Sequence, residues 1–204
     1  ALSLDGTPQA VVNFSLPSER QPGRDSFTIQ LWCAPRNFAI DSPHKTRRLV
    51  GYHDYPSWFF YLDTRDDGRV LFQFAHQGED GKRAGSTATS KTPLPLNAWS
   101  HLVAVCDREA RQIRLFLDGE LTSQATLPQG FDRDLNTRMP FHIGSSWQSC
   151  DGLIGEVSLQ RGALDATAVQ AAFAASRERY AAPVTEPKPI PRTVGEPMQF
   201  HVSP

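Results

Sequence analysis

Residues 97–119, NAWSHLVAVCDREARQIRLFLDG, decide how the rest of the chain is read. Within residues 99–106, Leu102, Ala104 and Cys106 alternate with Val103 and Val105. Side chains on a strand repeat every two residues, so this spacing predicts β structure. A strand that is apolar on both faces must be covered on both. The charged corner 107–112 has to stay in water. A second strand follows at 113–117, with Ile113, Leu115 and Leu117 on one face. It closes on Asp118-Gly119, a pair that accepts the positive φ of a tight hairpin turn, and 120–126 is the expected return strand.

Toward the N-terminus, residues 2–6 and 10–14 read as two short strands around a turn at 6–9. Residues 27–33, FTIQLWC, form a strong strand with Phe27, Ile29, Leu31 and Cys33 on one face and Trp32 on the other. Pro35 is expected to end it. Residues 36–45 read as loop, 49–51 as a short strand, and 52–58 as a turn-prone loop mixing polar and aromatic side chains. Strands at 58–62 and 69–75 are joined through the hairpin signal Asp67-Gly68, and 87–92 is a weak, exposed strand. Trp32 and Trp99 sit inside strand patterns and read as core, and the pairs Arg47-Arg48 and Lys82-Arg83 read as solvated loop charges.

Toward the C-terminus, a long loop at 128–140 precedes a short strand at 141–144, a loop at 145–151 holding Trp147, and a last strand at 153–159. The period then changes. Asp165 can cap the free amides of a helix over 166–176, with Val169 and Phe173 facing the sheet. Many short strands and one late helix predict an all-β, antiparallel two-sheet sandwich over residues 1–180. Residues 181–204 carry Pro183, Pro187, Pro189, Pro191, Pro197 and Pro204, an extended linker or tail that could lead into a further domain.

At 204 residues, 39% hydrophobic and 21% charged, the chain can bury a core without staples. A net charge of −1 favours neither nucleic acid nor an anionic membrane. No apolar run reaches the roughly 18–20 residues of a membrane span. The chain opens at Ala1 without an initiator Met or signal peptide, and so reads as a processed, excised or renumbered product. Cys33, Cys106 and Cys150 are odd in number and lack CxxC spacing. Cys33 and Cys106, inside apolar strand patterns, read as buried thiols, with a bridge between them across neighbouring strands as the alternative.

Four pieces, LSLDG at 2–6, FTIQLWCAP at 27–35, NAWSHLVAVCD with IRLFLDGEL across 97–121, and IGSSWQSCDGLIGEVSLQRGALDATAVQAAF at 143–173, together resemble the laminin-G-like family of the concanavalin A-like lectin/glucanase superfamily. The resemblance implies a jelly roll with one concave sheet and a binding role, often as an accessory domain of a larger secreted or periplasmic protein or enzyme. It also implies a structural calcium near the first and last strands. Asp5 and Glu156 are its candidate ligands here, although Gly155 stands where the family carries an acidic residue.

Glycosidases need two carboxylates flanking the scissile bond, and no E-x-D-x-x-E string, G-x-S-x-G, H-E-x-x-H or P-loop occurs. The expectation is therefore a non-catalytic domain. Sugar binding needs an aromatic face to cover the C–H side of a pyranose, with a few placed hydrogen bonds. Two segments carry that mixture: His53, Asp54, Tyr55 and Trp58, and Trp147 and Gln148 with Asp151 nearby. Together they are the candidate glycan site. The competing expectation is an interaction module that positions a neighbouring domain, suggested by the Pro-rich stretch.

Overall fold

The computed structural model describes residues 1–7, 10–40, 45–54, 56–78, 81–128, 131, 133–182 and 184. The Pro-rich stretch 185–204 lies outside the described residues.

Twelve strands are found among the described residues. They are β1 (Leu2–Asp5), β2 (Val11–Phe14), β3 (Phe27–Asn37), β4 (Thr46–Asp54), β5 (Trp58–Arg65), β6 (Arg69–Gln77), β7 (Arg83–Pro93), β8 (Ser100–Asp107), β9 (Gln112–Leu117), β10 (Glu120–Thr126), β11 (Phe141–Gly144) and β12 (Asp151–Arg161). They form two six-stranded antiparallel sheets, ordered β1-β12-β3-β8-β9-β10 and β2-β11-β4-β5-β6-β7. The two opening strands thus go to different sheets.

The period-2 reading of β8 is realised on both faces. Leu102, Ala104 and Cys106 enter the core between the sheets, together with Ile113 and Leu115 of β9. Val103 and Val105 point the other way, where Phe116 and Val169 cover them. Val169 lies on α1 (Ala166–Ser176), so the helix seals the outer face of the first sheet. Asp118 and Gly119 take φ values of 50° and 85°, the tight turn expected between β9 and β10.

Asp165 caps α1 as its sequence position predicts: its carboxylate accepts the Ala168 N–H at 2.8 Å. Asp165→Ala should lower stability by about 1 kcal/mol, a fall in Tm of roughly 2–4 °C on a thermal melt followed by circular dichroism. An unchanged melt would mean the cap contributes nothing.

Four expectations need correction. β3 does not stop at Pro35 but runs to Asn37. Pairing with β8 ends at Cys33, and on the β12 side a register shift falls at Gly152, which faces Pro35. A proline's missing N–H is tolerated at such an irregularity, and the Pro35 carbonyl still accepts Asn97 N–H at 2.7 Å. Tyr52, His53 and Asp54 are strand rather than loop, because each pairs across to β5. Arg47 and Arg48 also lie on β4, with bonded guanidinium groups. Trp32 is core as expected, buried beneath the helix and stacked on Tyr180 at 4.4 Å. Trp99 precedes β8 and is only half-buried.

All three cysteines are free and buried. Cys33 faces Ser100 and Cys106 faces Phe27, at opposite ends of the β3–β8 ladder, so a bridge between them is excluded.

Candidate functional site

The outer face of the second sheet is where polar and aromatic side chains gather. On β5 the core takes Trp58, Phe60 and Leu62, so strand alternation turns Phe59, Tyr61 and Asp63 outward. The Phe59 and Tyr61 rings stack at 4.6 Å with 16° between their planes. β4 lies beside them. Its register shifts between Arg48 and Val50, and Leu49 and Val50 are both fully buried. This bulge re-aims Arg48 onto the outer face. There its guanidinium carbon sits 3.3 Å from the centre of the Tyr61 ring, and its Nε donates to Asp63 Oδ1.

Two imidazoles complete the tile. His53 on β4 lies 5.3 Å from His142 of β11 and 6.0 Å from Tyr61. Gly51 makes room for them: a Cβ there would meet His142 Nε2 at 2.5 Å and a Tyr61 ring carbon at 2.9 Å. At the far side Arg83 stands 5.5 Å over Phe59.

The electrostatics follow from burial. The His53 pKa is lowered first by burial and then by Arg48. His142 is pushed down to about 3 by burial, with Arg48 and His53 adding to the shift. Both rings are therefore neutral near pH 7, each with one donor and one acceptor nitrogen. His53 Nδ1 is buried without a hydrogen-bond partner. Burial raises the Tyr61 phenol, which stays protonated and can donate. Burial also lifts the Asp63 carboxyl, with Arg48 pulling the other way. This carboxylate is tied to a guanidinium, so it is not poised as an acid or a base. The two rings stack on one another beneath Arg48 and Arg83, and Phe59 is only 8% exposed, so the face presents ring edges and hydrogen-bonding groups rather than an open ring face.

The residues expected at the site are dispersed differently. His53 belongs to the tile. Asp54 is half-buried at the end of β4, opposite Trp58. Trp58 is only 2% exposed, packed in the core against Tyr52 and Phe60, and cannot offer a ring to a ligand. Tyr55 lies outside the described residues. Trp147 is 74% exposed. Its loop is well tied: Trp147 N–H donates to Ser145 Oγ, and the Gln148 carbonyl accepts Arg48 N–H at 2.7 Å. The two expected loops therefore join opposite ends of β4, six residues apart by number, or about 20 Å of strand. Sequence reasoning missed Arg48, Phe59, Tyr61 and His142. The signal for Phe59 and Tyr61 was the period-2 pattern of WFFYLD, which puts aromatic rings on both faces.

An open concavity lies on the outer face of the first sheet. It is an open cleft of about 370 Å³ lined by Trp99, Asp118, Phe173, Glu178, Tyr180 and their neighbours.

The implied calcium does not fit its expected ligands. Asp5 Oδ1 accepts from the Thr7 amide and hydroxyl, and Glu156 is paired with Arg179. Asp5 faces Asp151, so Glu156 lies five positions further along β12, about 16 Å away. At Gly155, a side chain would collide with the Tyr180 hydroxyl at 2.6 Å. Among the described residues no three His, Cys, Asp or Glu side chains converge as a metal site.

Twelve strands in two six-stranded antiparallel sheets define a jelly-roll sandwich. A family model of the concanavalin A-like lectin/glucanases superfamily, of the laminin-G type, matches residues 7–170, and the chain belongs to that family. Solved structures share the fold at low identity. A pentraxin from Limulus polyphemus is 12% identical with a TM-score of 0.61, over 82% of this chain and 78% of its own. Domain 4 of the extracellular arabinanase AbnA from Geobacillus stearothermophilus, solved with arabinotriose, is 20% identical with a TM-score of 0.57, over 81% of this chain and 73% of its own. The carbohydrate-binding module of a Ruminococcus gnavus sialidase, bound to α2,3 sialyllactose, is 13% identical with a TM-score of 0.55, over 85% of this chain and 95% of its own. No curated protein sequence matches. Among the described residues no helix is long and apolar enough to cross a membrane.

Proposed function

We propose that the chain is a non-catalytic glycan-recognition domain, an accessory module of a larger secreted or periplasmic protein, whose site is the outer face of the second sheet. The observation that carries this is the Phe59–Tyr61 stack flanked by Arg48, His53 and His142. A saccharide docked there would meet the edges of the stacked rings and the donors and acceptors beside them. The Trp147-Gln148 loop is hooked to the Arg48 amide and would supply an exposed ring beside the stack. The arabinotriose and sialyllactose complexes of structural neighbours support a saccharide as the class of ligand.

The test is a glycan array followed by calorimetric titration of the best hit. Tyr61→Ala should weaken binding about tenfold or more, about 1.4 kcal/mol. An array without a hit, or a Tyr61→Ala protein that binds like its parent, would refute the reading.

The second reading is an interaction module. The cleft on the first sheet favours it, since Ala181 lines that cleft just where the Pro-rich stretch begins in the sequence. Reading the gene beyond Pro204 tests it: a neighbouring domain supports it, and a stop codon there removes its motive.

A further inference from the structure

We infer that Arg36 and Arg47 act as two built-in cationic groups at the junction of the first and last strands, in the role that a divalent cation would fill there, and that this junction closes without metal. The oxygens come from well-separated parts of the chain. Arg47 Nη1 donates to the carbonyls of Gly6 at 3.3 Å and Ser149 at 3.1 Å, and its Nε donates to the carbonyl of Ala39 at 3.1 Å. Arg36 Nη2 donates to the Leu4 carbonyl at 2.5 Å, and its Nε to Asp151 Oδ1 at 3.0 Å. Asp5 faces Asp151 across the β1–β12 ladder, so this is where the two strands meet.

Backbone carbonyls and a carboxylate converging from several segments are the donor type a hard cation takes. A guanidinium answers the same oxygens through directed N–H bonds and keeps its charge at any physiological pH. Two guanidinium groups carry the charge of one divalent ion, and Asp151 is the counter-charge of Arg36. Gly6 admits Arg47 to the junction. Its φ is +76°, and a Cβ would lie 2.6 Å from Arg47 Nη1 and 3.1 Å from Asp151 Cβ. The junction's oxygens are thus already bound by side chains of the protein itself.

The experiment is thermal unfolding of the full chain in EGTA and in millimolar calcium. The parent Tm should be the same in both. The Arg36→Ala/Arg47→Ala double variant should melt roughly 5 °C lower in EGTA and recover part of that loss in calcium. Arg47→Ala alone serves if the double variant does not fold, with the same two buffers. A parent stabilised by calcium would overturn the inference. So would variants that keep the parent Tm, or variants that lose it and do not respond to calcium.

Discussion

Arg48→Ala destabilises the fold by about 3–5 kcal/mol at pH 7, because it strands a buried carboxylate. The Asp63 side chain is 4% exposed and that of Arg48 is 17% exposed, so little water is present to replace the lost partner. Burial already raises the Asp63 pKa, and Arg48 is the group that opposes the shift. Without Arg48 the folded-state pKa rises further above the unfolded value. A carboxyl with a raised folded pKa binds protons more readily folded than unfolded, so stability falls as pH rises from the unfolded toward the folded value. The deficit of Arg48→Ala should therefore be smallest near pH 4 and grow toward neutrality. Urea titrations at a series of pH values measure this directly. A deficit independent of pH would show that the loss comes from packing on Tyr61 rather than from the stranded charge. The paired change Arg48→Met with Asp63→Leu should cost less than Arg48→Ala alone, since it leaves no charge behind.

Trp58 and Trp147 should divide stability from binding. Trp58→Ala opens a void where the ring packs against Tyr52 and Phe60, and should lower stability by about 3–5 kcal/mol. Trp147→Ala removes an exposed ring and should change stability by no more than about 0.5 kcal/mol. Its glycan affinity should nonetheless fall by about tenfold. Chemical denaturation and calorimetric titration of both variants give the four numbers needed. Equal stability losses would contradict the burial of Trp58. A Trp147→Ala protein with parental affinity would confine the site to the tile around Tyr61.

The fold was legible because its information is local. Two residues of period decide which side of β8 or β9 is apolar, and a capping carboxylate marks the start of α1 within one turn. The site was less legible because its partners are distant. Arg47 and Arg48 read as solvated charges since neither has an acid beside it in the chain, yet Arg48 meets Asp63 fifteen positions on and Arg47 meets Ser149 at a separation of 102. Four successive aromatic residues, Trp58 to Tyr61, alternate without a polar member, so period alone could not say which pair faced the core. Trp147, set among Ser and Gln, lies exposed.

The strand order also bears on how the molecule forms during synthesis. β3 pairs with β12, β1 with β12, and β2 with β11, so the opening segments of the domain wait for its closing ones before they can pair. Until residues 141–161 emerge, the apolar run 27–33 has β8 on one flank and an open edge on the other. Pairings this distant in sequence slow folding and prolong the exposure of sticky edges. Translation halted before residue 141 should leave a nascent chain that chaperones bind and proteases cut, and completion of β12 is the event that ends that vulnerability.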